Sequence, residues 1–476
     1  MYTVLNYTIL GIIFLMPFLL AVSMFTGLVA GARKPFWFVT FYFLLIFYAP
    51  NASWGLEVQS IGGLGNIYTR GAGLFLLPFV NLALIGLFVV VSTSRYFKMV
   101  TPAFHNLKPF IWAFTLIIAG NIVVGLALGY KVSTVLGDKG LIHMANMLLV
   151  FGVVTLMFKE RKDLDVFINV FLFAAVTRGL YGAVRFAAFG GDPANFYANF
   201  EKIDVKLTFF DVNDGFIATM AAFIFAWRLT AMQNTRNPRL KAFYWFCVIL
   251  EVFIVIFSFR RTSWIGFGLA AILFAMSQPK RLRSMLFLGY VGIGVPIIVA
   301  QALKRMVTSS RMESVGLLEK LAPDVFGSNL IGTQSPRLVE LAAAWDTIIH
   351  RPILGVGIWG EYNGYGIPLL YFHKNDFTWM HSGVLHIWLK CGFIGVILLL
   401  GLWWRYGQFI RTRHKMLDRQ YQGLMLAAAA GALFYIPTWL MGTPVIELRT
   451  MLLIGLVLGL PYSVYTLGKK AKVPHS

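Results

Sequence analysis

The stretch LIHMANMLLVFGVVTLMFKERKDLDVFINVFLFAAVTRGLYGAVRFAAF, residues 141 to 189, decides how the chain must be read. Two apolar runs, 141 to 158 and 165 to 189, flank a short basic loop that carries Lys159, Arg161 and Lys162. Each run reaches the roughly 17 to 25 residues that cross a bilayer as a helix. The unit is therefore span, basic loop, span.

Working outward, the same unit repeats. Further apolar runs lie near 8 to 30, 35 to 50, 73 to 92, 109 to 129, 214 to 232, 242 to 259, 263 to 277, 285 to 303, 383 to 406, 422 to 441 and 446 to 466. Of the 476 residues, 58% are hydrophobic and only 13% charged. Soluble domains carry roughly 25% charged residues, so most of this chain must face lipid or other helices. The expected fold is an all-α polytopic membrane protein of about 12-13 transmembrane helices, with one large extracytoplasmic (periplasmic) helical loop. Three segments are expected: N-terminal transmembrane helices over 1-204, a core with the periplasmic loop 304-382 over 205-405, and C-terminal helices with a cytoplasmic tail over 406-476.

The formal charge of +21 does not point to nucleic acid, because the basic residues sit in short clusters between apolar runs. Arg33 and Lys34, Arg95 and Lys98, Arg236 with Arg239 and Lys241, Lys280 with Arg281 and Arg283, Arg411 with Arg413 and Lys415, and Lys469 with Lys470 and Lys472 all fall on the side of the 159 to 162 loop. By the positive-inside rule that side is cytoplasmic, with the N-terminus outside and retained as a first helix. Cys247 and Cys391 both fall inside spans, so no disulfide framework is implied.

The segment 304 to 382 on the other side is too long for a plain connection. Within it Ser335 reads as an N-cap and Pro336 as the first helical residue; Leu338, Leu341, Trp345, Ile348 and Ile349 form one apolar face, and Pro352 and Gly355 stop the helix. That stripe places the helix on the membrane surface or against the bundle.

Several residues break the local pattern. Arg260 and Arg261 occupy the tight extracytoplasmic link between two spans; they either snorkel to headgroup phosphates or bind an anion. Arg337 lies in the first turn of the loop helix, where the helix dipole disfavours a cation and a bound anion would compensate; solvation or pairing with Glu340 is the simpler account. His381 sits where the long loop returns to the membrane, just before Ser382 as N-cap, with His373 and His386 as competitors for a general-base role. Arg178 and Arg185 share one face of a span, and Glu251, Lys390, Glu447 and Arg449 are the other deep charges; pairing of Arg178 with Glu251 competes with a substrate contact. Asp211, Asn213 and Asp214 form a weak oxygen-rich metal pattern, or simply cap the next helix.

Three stretches then stand together: FSFRRTSWIGFGLAAILF over 257 to 274, SPRLVELAAAWDTIIHRPILGVG over 335 to 357, and MHSGVLHIWLKCGFIGVILLLG over 380 to 401. In order and membrane side they resemble the O-antigen ligase and O-antigen polymerase (Wzy) superfamily of GT-C-like integral membrane glycan transferases. The resemblance covers roughly 205 to 405. It puts Arg261 and Arg337 on the family arginines and His381 on the proposed catalytic histidine. Ser382 replaces the usual asparagine, Lys390 stands where relatives often have glutamate, and Arg260 replaces the usual serine.

What the resemblance implies is transfer of a glycan from an undecaprenyl-diphosphate carrier to a sugar hydroxyl of a lipid-linked or growing glycan, at the outer face of the bacterial inner membrane. The reaction would invert the sugar and need no cofactor and no metal. Arg261 and Arg337 would stabilise the departing diphosphate and His381 would act as base. Arg260, Arg178, Arg185, Asp211 and Asn213 are weaker candidates for contacts to diphosphate or glycan. Ligase, surface-polysaccharide polymerase and protein O-oligosaccharyltransferase share these motifs. A polysaccharide-lipid flippase or an envelope scaffold would account for the spans, but not as well for an arginine and a histidine at the mouth of a long outer loop.

Overall fold

The structure is a computed structural model. It describes residues 35–49, 68, 78–93, 106–188, 190–191, 211–232, 237–297, 299–300, 336–362 and 377–468. The predicted first span at 8 to 30, the basic residues at 33, 34, 95, 98, 236 and 469 to 472, Ser335, His373 and most of the long outer loop lie outside the described residues.

In chain order the elements are α1 Pro35–Tyr48, α2 Phe79–Thr93, α3 Lys108–Ala127, a single turn α4 Val132–Val135, α5 Ile142–Leu156, α6 Arg161–Ala188 and α7 Val212–Ala231. There follow α8 Pro238–Ile256, α9 Arg261–Met276, α10 Lys280–Gly289, α11 Pro336–His350, α12 Gly383–Arg413, α13 Arg419–Phe434, α14 Ile436–Met441 and α15 Leu448–Gly468. The described residues contain no strand. Five of these helices are long and apolar enough to cross a membrane, and four shorter ones are mainly apolar. In hydrocarbon a helix satisfies its own backbone polar groups, which is why the apolar runs take this form. The molecule is an all-α polytopic membrane protein, as its sequence implies.

α15 is the mast of the bundle. Almost every residue of it is buried, as befits a helix apolar on all sides. Gly455 and Gly459 let it close on α5: a Cβ at these positions would stand 2.5 Å from Met147 O and 2.8 Å from Val154 Cβ. Small residues at such crossings maximise dispersion contact where no hydrophobic force acts between helices. The outer surfaces of α3, α6 and α12 carry exposed Leu116, Val123, Phe173 and Trp404, which suit a lipid-facing belt.

Side-chain bonds sort the helix ends into two levels. At the basic end Arg161 Nε donates to Leu467 O (2.7 Å), Asn106 Nδ2 to Arg405 O (3.1 Å) and Trp227 Nε1 to Arg419 O (2.8 Å). At the opposite end Tyr42 Oη donates to Val80 O (3.4 Å) and Tyr435 Oη to Asn213 Oδ1 (2.8 Å). The starts of α7, α9, α12 and α15 all belong to this second level, where the candidate site lies.

The loop helix α11 begins at Pro336 and stops at His350, as its sequence predicts. Its buried face differs from the predicted stripe. Glu340, Ala343, Ala344 and Ile348 turn inward, while Trp345 and Ile349 are half exposed. Two small alanines let the helix lie close to its neighbours, and the bulky residues project away with exposed Ile353 and Leu354. Trp345 also packs edge-on against Trp388 of α12, at 5.4 Å between ring centroids.

Candidate functional site at the outer helix ends

α12 is not one continuous helix. Gly392, at φ 65° and ψ −169°, breaks it one-third of the way along. The broken ends are joined to the turn that follows α11: Phe393 N–H donates to Pro352 O (2.7 Å), Val356 N–H to Leu389 O (2.8 Å) and Gly357 N–H to Lys390 O (3.1 Å). Trp388 Nε1 also donates to Pro352 O (3.0 Å), and the buried Lys390 ammonium to Gly360 O (2.6 Å). A broken helix at membrane depth is tolerated only where other groups re-satisfy its backbone, and here the Pro352-x-x-Gly355-x-Gly357 turn does so. The fit requires glycine on both sides. A Cβ on Gly392 would stand 1.9 Å from Ile353 O, and one on Gly355, at φ 70°, would stand 2.4 Å from Leu389 O.

This splice fixes α11 against the first half of α12 and thereby sets Glu340 against His381. The Glu340 carboxylate accepts from the His381 backbone N–H through Oε1 (2.8 Å) and lies 2.7 Å from the ring Nδ1 through Oε2. Glu340 is buried, His381 is largely so, and the Trp379 ring packs on the imidazole at 5.0 Å. Ser382 Oγ accepts from Leu385 N–H (3.3 Å) and so caps α12 as predicted. His386, one turn further in, is fully buried. Sequence reasoning placed His381 correctly at the return point but missed Glu340 as its partner. The available signal was an acidic residue on the same loop helix, one turn after Arg337.

The link from α8 to α9 is equally tight. Phe259 adopts φ 51°, a left-handed conformation unusual for a bulky residue. It is held there by packing on Phe257 and Trp264, while Trp264 Nε1 donates to Ile256 O at the end of α8 (3.0 Å). The turn projects Arg260, the residue before α9, and Arg261, its first residue, both partly exposed. Arg260 acts electrostatically on Glu447. Burial pushes the Glu447 carboxyl up from its ordinary value, and hydrogen bonds from Thr450 and Thr443 and the Arg260 charge draw it part of the way back.

Glu447 ends the short segment that also meets the histidine arm: a Cβ on Gly383, two residues past His381, would stand 2.7 Å from both Pro444 and Trp439. The arginine turn and the His381 arm thus converge on residues 439–447. Arg337 is the second residue of α11, one turn before Glu340; its side chain lies outside the described residues.

The deeper charges form a separate buried network. Arg449 donates to Asp211 Oδ2 (2.8 Å), Asp214 Oδ1 (3.2 Å) and the carbonyls of Ile46 (2.9 Å) and Phe47 (2.8 Å). Arg178 donates to the same Asp214 oxygen (3.0 Å) and to Tyr48 O (2.8 Å). The partner suggested for Arg178, Glu251, is thus replaced by Asp214, whose carboxylate lies at the start of α7 rather than within α8. Asp211 caps α7, accepting from Asn213 N–H (2.8 Å) and Asp214 N–H (3.1 Å), and Asn213 Oδ1 accepts from Tyr435 Oη and Thr450 Oγ1. With one lobe on arginine and one on the helix end, Asp211 is a structural cap. Arg185, also buried, lies over the Tyr181 ring at 5.4 Å. Among the described residues no group of three or more His, Cys, Asp or Glu is arranged to hold a metal ion.

Fold and site together define a multi-pass membrane protein with a histidine–carboxylate pair and two partly exposed arginines at one end of its helices. Residues 246–400 match the family model described as O-antigen ligase, and this supports the O-antigen ligase and polymerase superfamily for the chain. The matched stretch contains Arg260, Arg261, Arg337, Glu340 and His381, and it supports glycan transfer of the O-antigen ligase type in general. No curated protein matches the chain.

Proposed function

We propose that the protein transfers a glycan from undecaprenyl diphosphate to a sugar hydroxyl of a lipid-linked or growing glycan, at the periplasmic face of the bacterial inner membrane. The observation that carries this reading is the two-point grip of Glu340 on His381. It fixes the ring orientation and assigns the proton to Nδ1, so that Nε2 is the nitrogen that accepts the acceptor's proton.

In the reaction the acceptor oxygen attacks the anomeric carbon while its proton passes to His381 Nε2. The bond from that carbon to the diphosphate oxygen breaks, and its electron pair leaves with undecaprenyl diphosphate. A single displacement inverts the sugar. Glu340 stabilises the imidazolium that forms, and Arg260, Arg261 and Arg337 take up the charge developing on the leaving diphosphate. No metal enters these steps. Arg178, Arg449, Asp211 and Asn213 belong to the scaffold that holds α1, α7 and α15 together at the same level.

Purified protein in lipid nanodiscs, given the host's lipid-linked glycan and a sugar acceptor, is expected to form the extended glycan and release undecaprenyl diphosphate. Translocation of the lipid-linked glycan without any transfer would replace this reading with a flippase.

A further inference from the structure

Beside the His381 arm lies a cavity of about 470 Å³ that the proposed reaction does not use. It falls within the size range of small-molecule sites. Its walls are the start of α2, the segment 133–143 between α3 and α5, and the turn carrying Trp359. Thr378 closes it on the side of the catalytic arm, one residue before the Trp379 that packs on His381.

The lining is mainly apolar, with a few polar side chains set into it. Asn81 is 1% exposed, and neither its amide nitrogen nor its amide oxygen has a hydrogen-bond partner. Burying an amide unsatisfied is costly, so a side chain left this way in a cavity wall awaits a ligand or solvent. His143, also buried, belongs to the same lining, and Thr134 and Asp138 are exposed at its rim. Trp359 stacks on Tyr130 with centroids 5.3 Å apart, and a Cβ on Gly125 would stand 2.6 Å from the indole, so the ring is held in place from both sides.

We propose that this cavity binds one sugar residue of a substrate glycan, with the Asn81 amide and the Asp138 carboxylate taking its hydroxyls and the fixed Trp359 ring bounding the site. An amide supplies two donors and one acceptor, the complement of neighbouring hydroxyls that each donate and accept. The lining carries both Asp138 and Lys139, so it has no net positive charge to select a phosphate, and the unpartnered Asn81 amide calls for an occupant that hydrogen-bonds rather than a lipid tail. The inference rests on the glycan-transfer reading. Donor and acceptor glycans share this chemistry, and the experiment separates them.

The test uses full-length protein in nanodiscs, with Asn81→Leu in the wall and Asp138→Asn at the exposed rim, where folding is not at stake. In steady-state transfer each variant should raise KM for one substrate, about tenfold for Asn81→Leu, with kcat little changed. A rise in the acceptor's KM assigns the cavity to the acceptor; a rise in the donor's assigns it to the donor. If wild type transfers glycan and neither variant moves either KM, the sugar site is wrong while the transferase reading stands. If wild type transfers nothing, saturation-transfer NMR with the host glycan, released from its lipid by mild acid, decides separately. Contact signals lost in Asn81→Leu uphold the sugar site without the transferase, and signals absent or unchanged overturn it.

Discussion

The imidazole of His381 and the carboxylate of Glu340 meet at 2.7 Å although 41 residues separate them, because the turn after α11 is spliced into the break in α12. If His381 is the base, the two residues should act as a unit. His381→Ala is expected to lower kcat by about 10² to 10⁴-fold, the usual contribution of general-base catalysis. Glu340→Gln keeps the shape and a hydrogen-bond acceptor but removes the charge that stabilises the imidazolium. It should lose at least about tenfold in kcat, and adding Glu340→Gln to His381→Ala should cost little more. Single-turnover transfer by the three variants checks this, and additive losses would separate the pair.

The splice itself makes a second prediction. Gly392→Ala places a methyl 1.9 Å from Ile353 O at a positive φ, so the Pro352–Gly357 turn must move off α12 and carry α11 with it. Strain of this kind costs on the order of 1 to 3 kcal/mol even before the three backbone bonds are lost. Activity should fall together with the midpoint of thermal unfolding. Gly407→Ala on the same element is the control: a Cβ there meets nothing within 4 Å, and the helix should gain about 0.5 to 1 kcal/mol.

The Arg178, Asp211, Asp214 and Arg449 network carries equal numbers of positive and negative charges, all of them buried or nearly so. Arg449→Leu leaves a carboxylate without its cation and should cost about 3 to 5 kcal/mol. Asp211→Asn in the same chain removes the surplus charge and keeps a side chain able to cap α7, so the double variant should be more stable than Arg449→Leu alone. Thermal unfolding in one detergent ranks the three proteins.

Much of this architecture is legible in the sequence because membrane helices announce themselves by apolar length. Arg260, Arg261, Arg337 and His381 stand out because each breaks a local rule. What stays hidden is long-range pairing and backbone geometry. Nothing around Lys390-Cys391-Gly392-Phe393 distinguishes a helix break from a continuous span, since the carbonyl that replaces the missing bond comes from Pro352. Arg178 had Glu251 as a plausible partner on another span, yet its bond to Asp214 depends on how α6 and α7 cross. The misread stripe on α11 has a similar origin: apolar residues occupy both sides of that helix, and periodicity cannot say which side meets protein and which meets lipid.

Glu447 and Arg260 provide a test of how the two arms meet. Burial raises the Glu447 carboxyl above its ordinary value of 4.5, so the folded protein holds this proton more tightly than the unfolded chain does. Its contribution to stability is fully present below the unfolded value and is lost as pH rises through the raised folded value. Glu447→Gln cannot ionise, so the unfolding midpoint of wild type relative to this variant should fall as pH is raised from about 4.5 toward neutrality. Arg260 opposes the effect by favouring the carboxylate. Arg260→Ala raises only the folded value, so the loss should begin at the same pH, extend to higher pH and grow larger, and the substitution should have no such effect in a Glu447→Gln background. Thermal unfolding of the four proteins across that range measures the coupling. A shift of the same size in both backgrounds would mean that the α9 arginine turn does not face the segment against which the His381 arm packs.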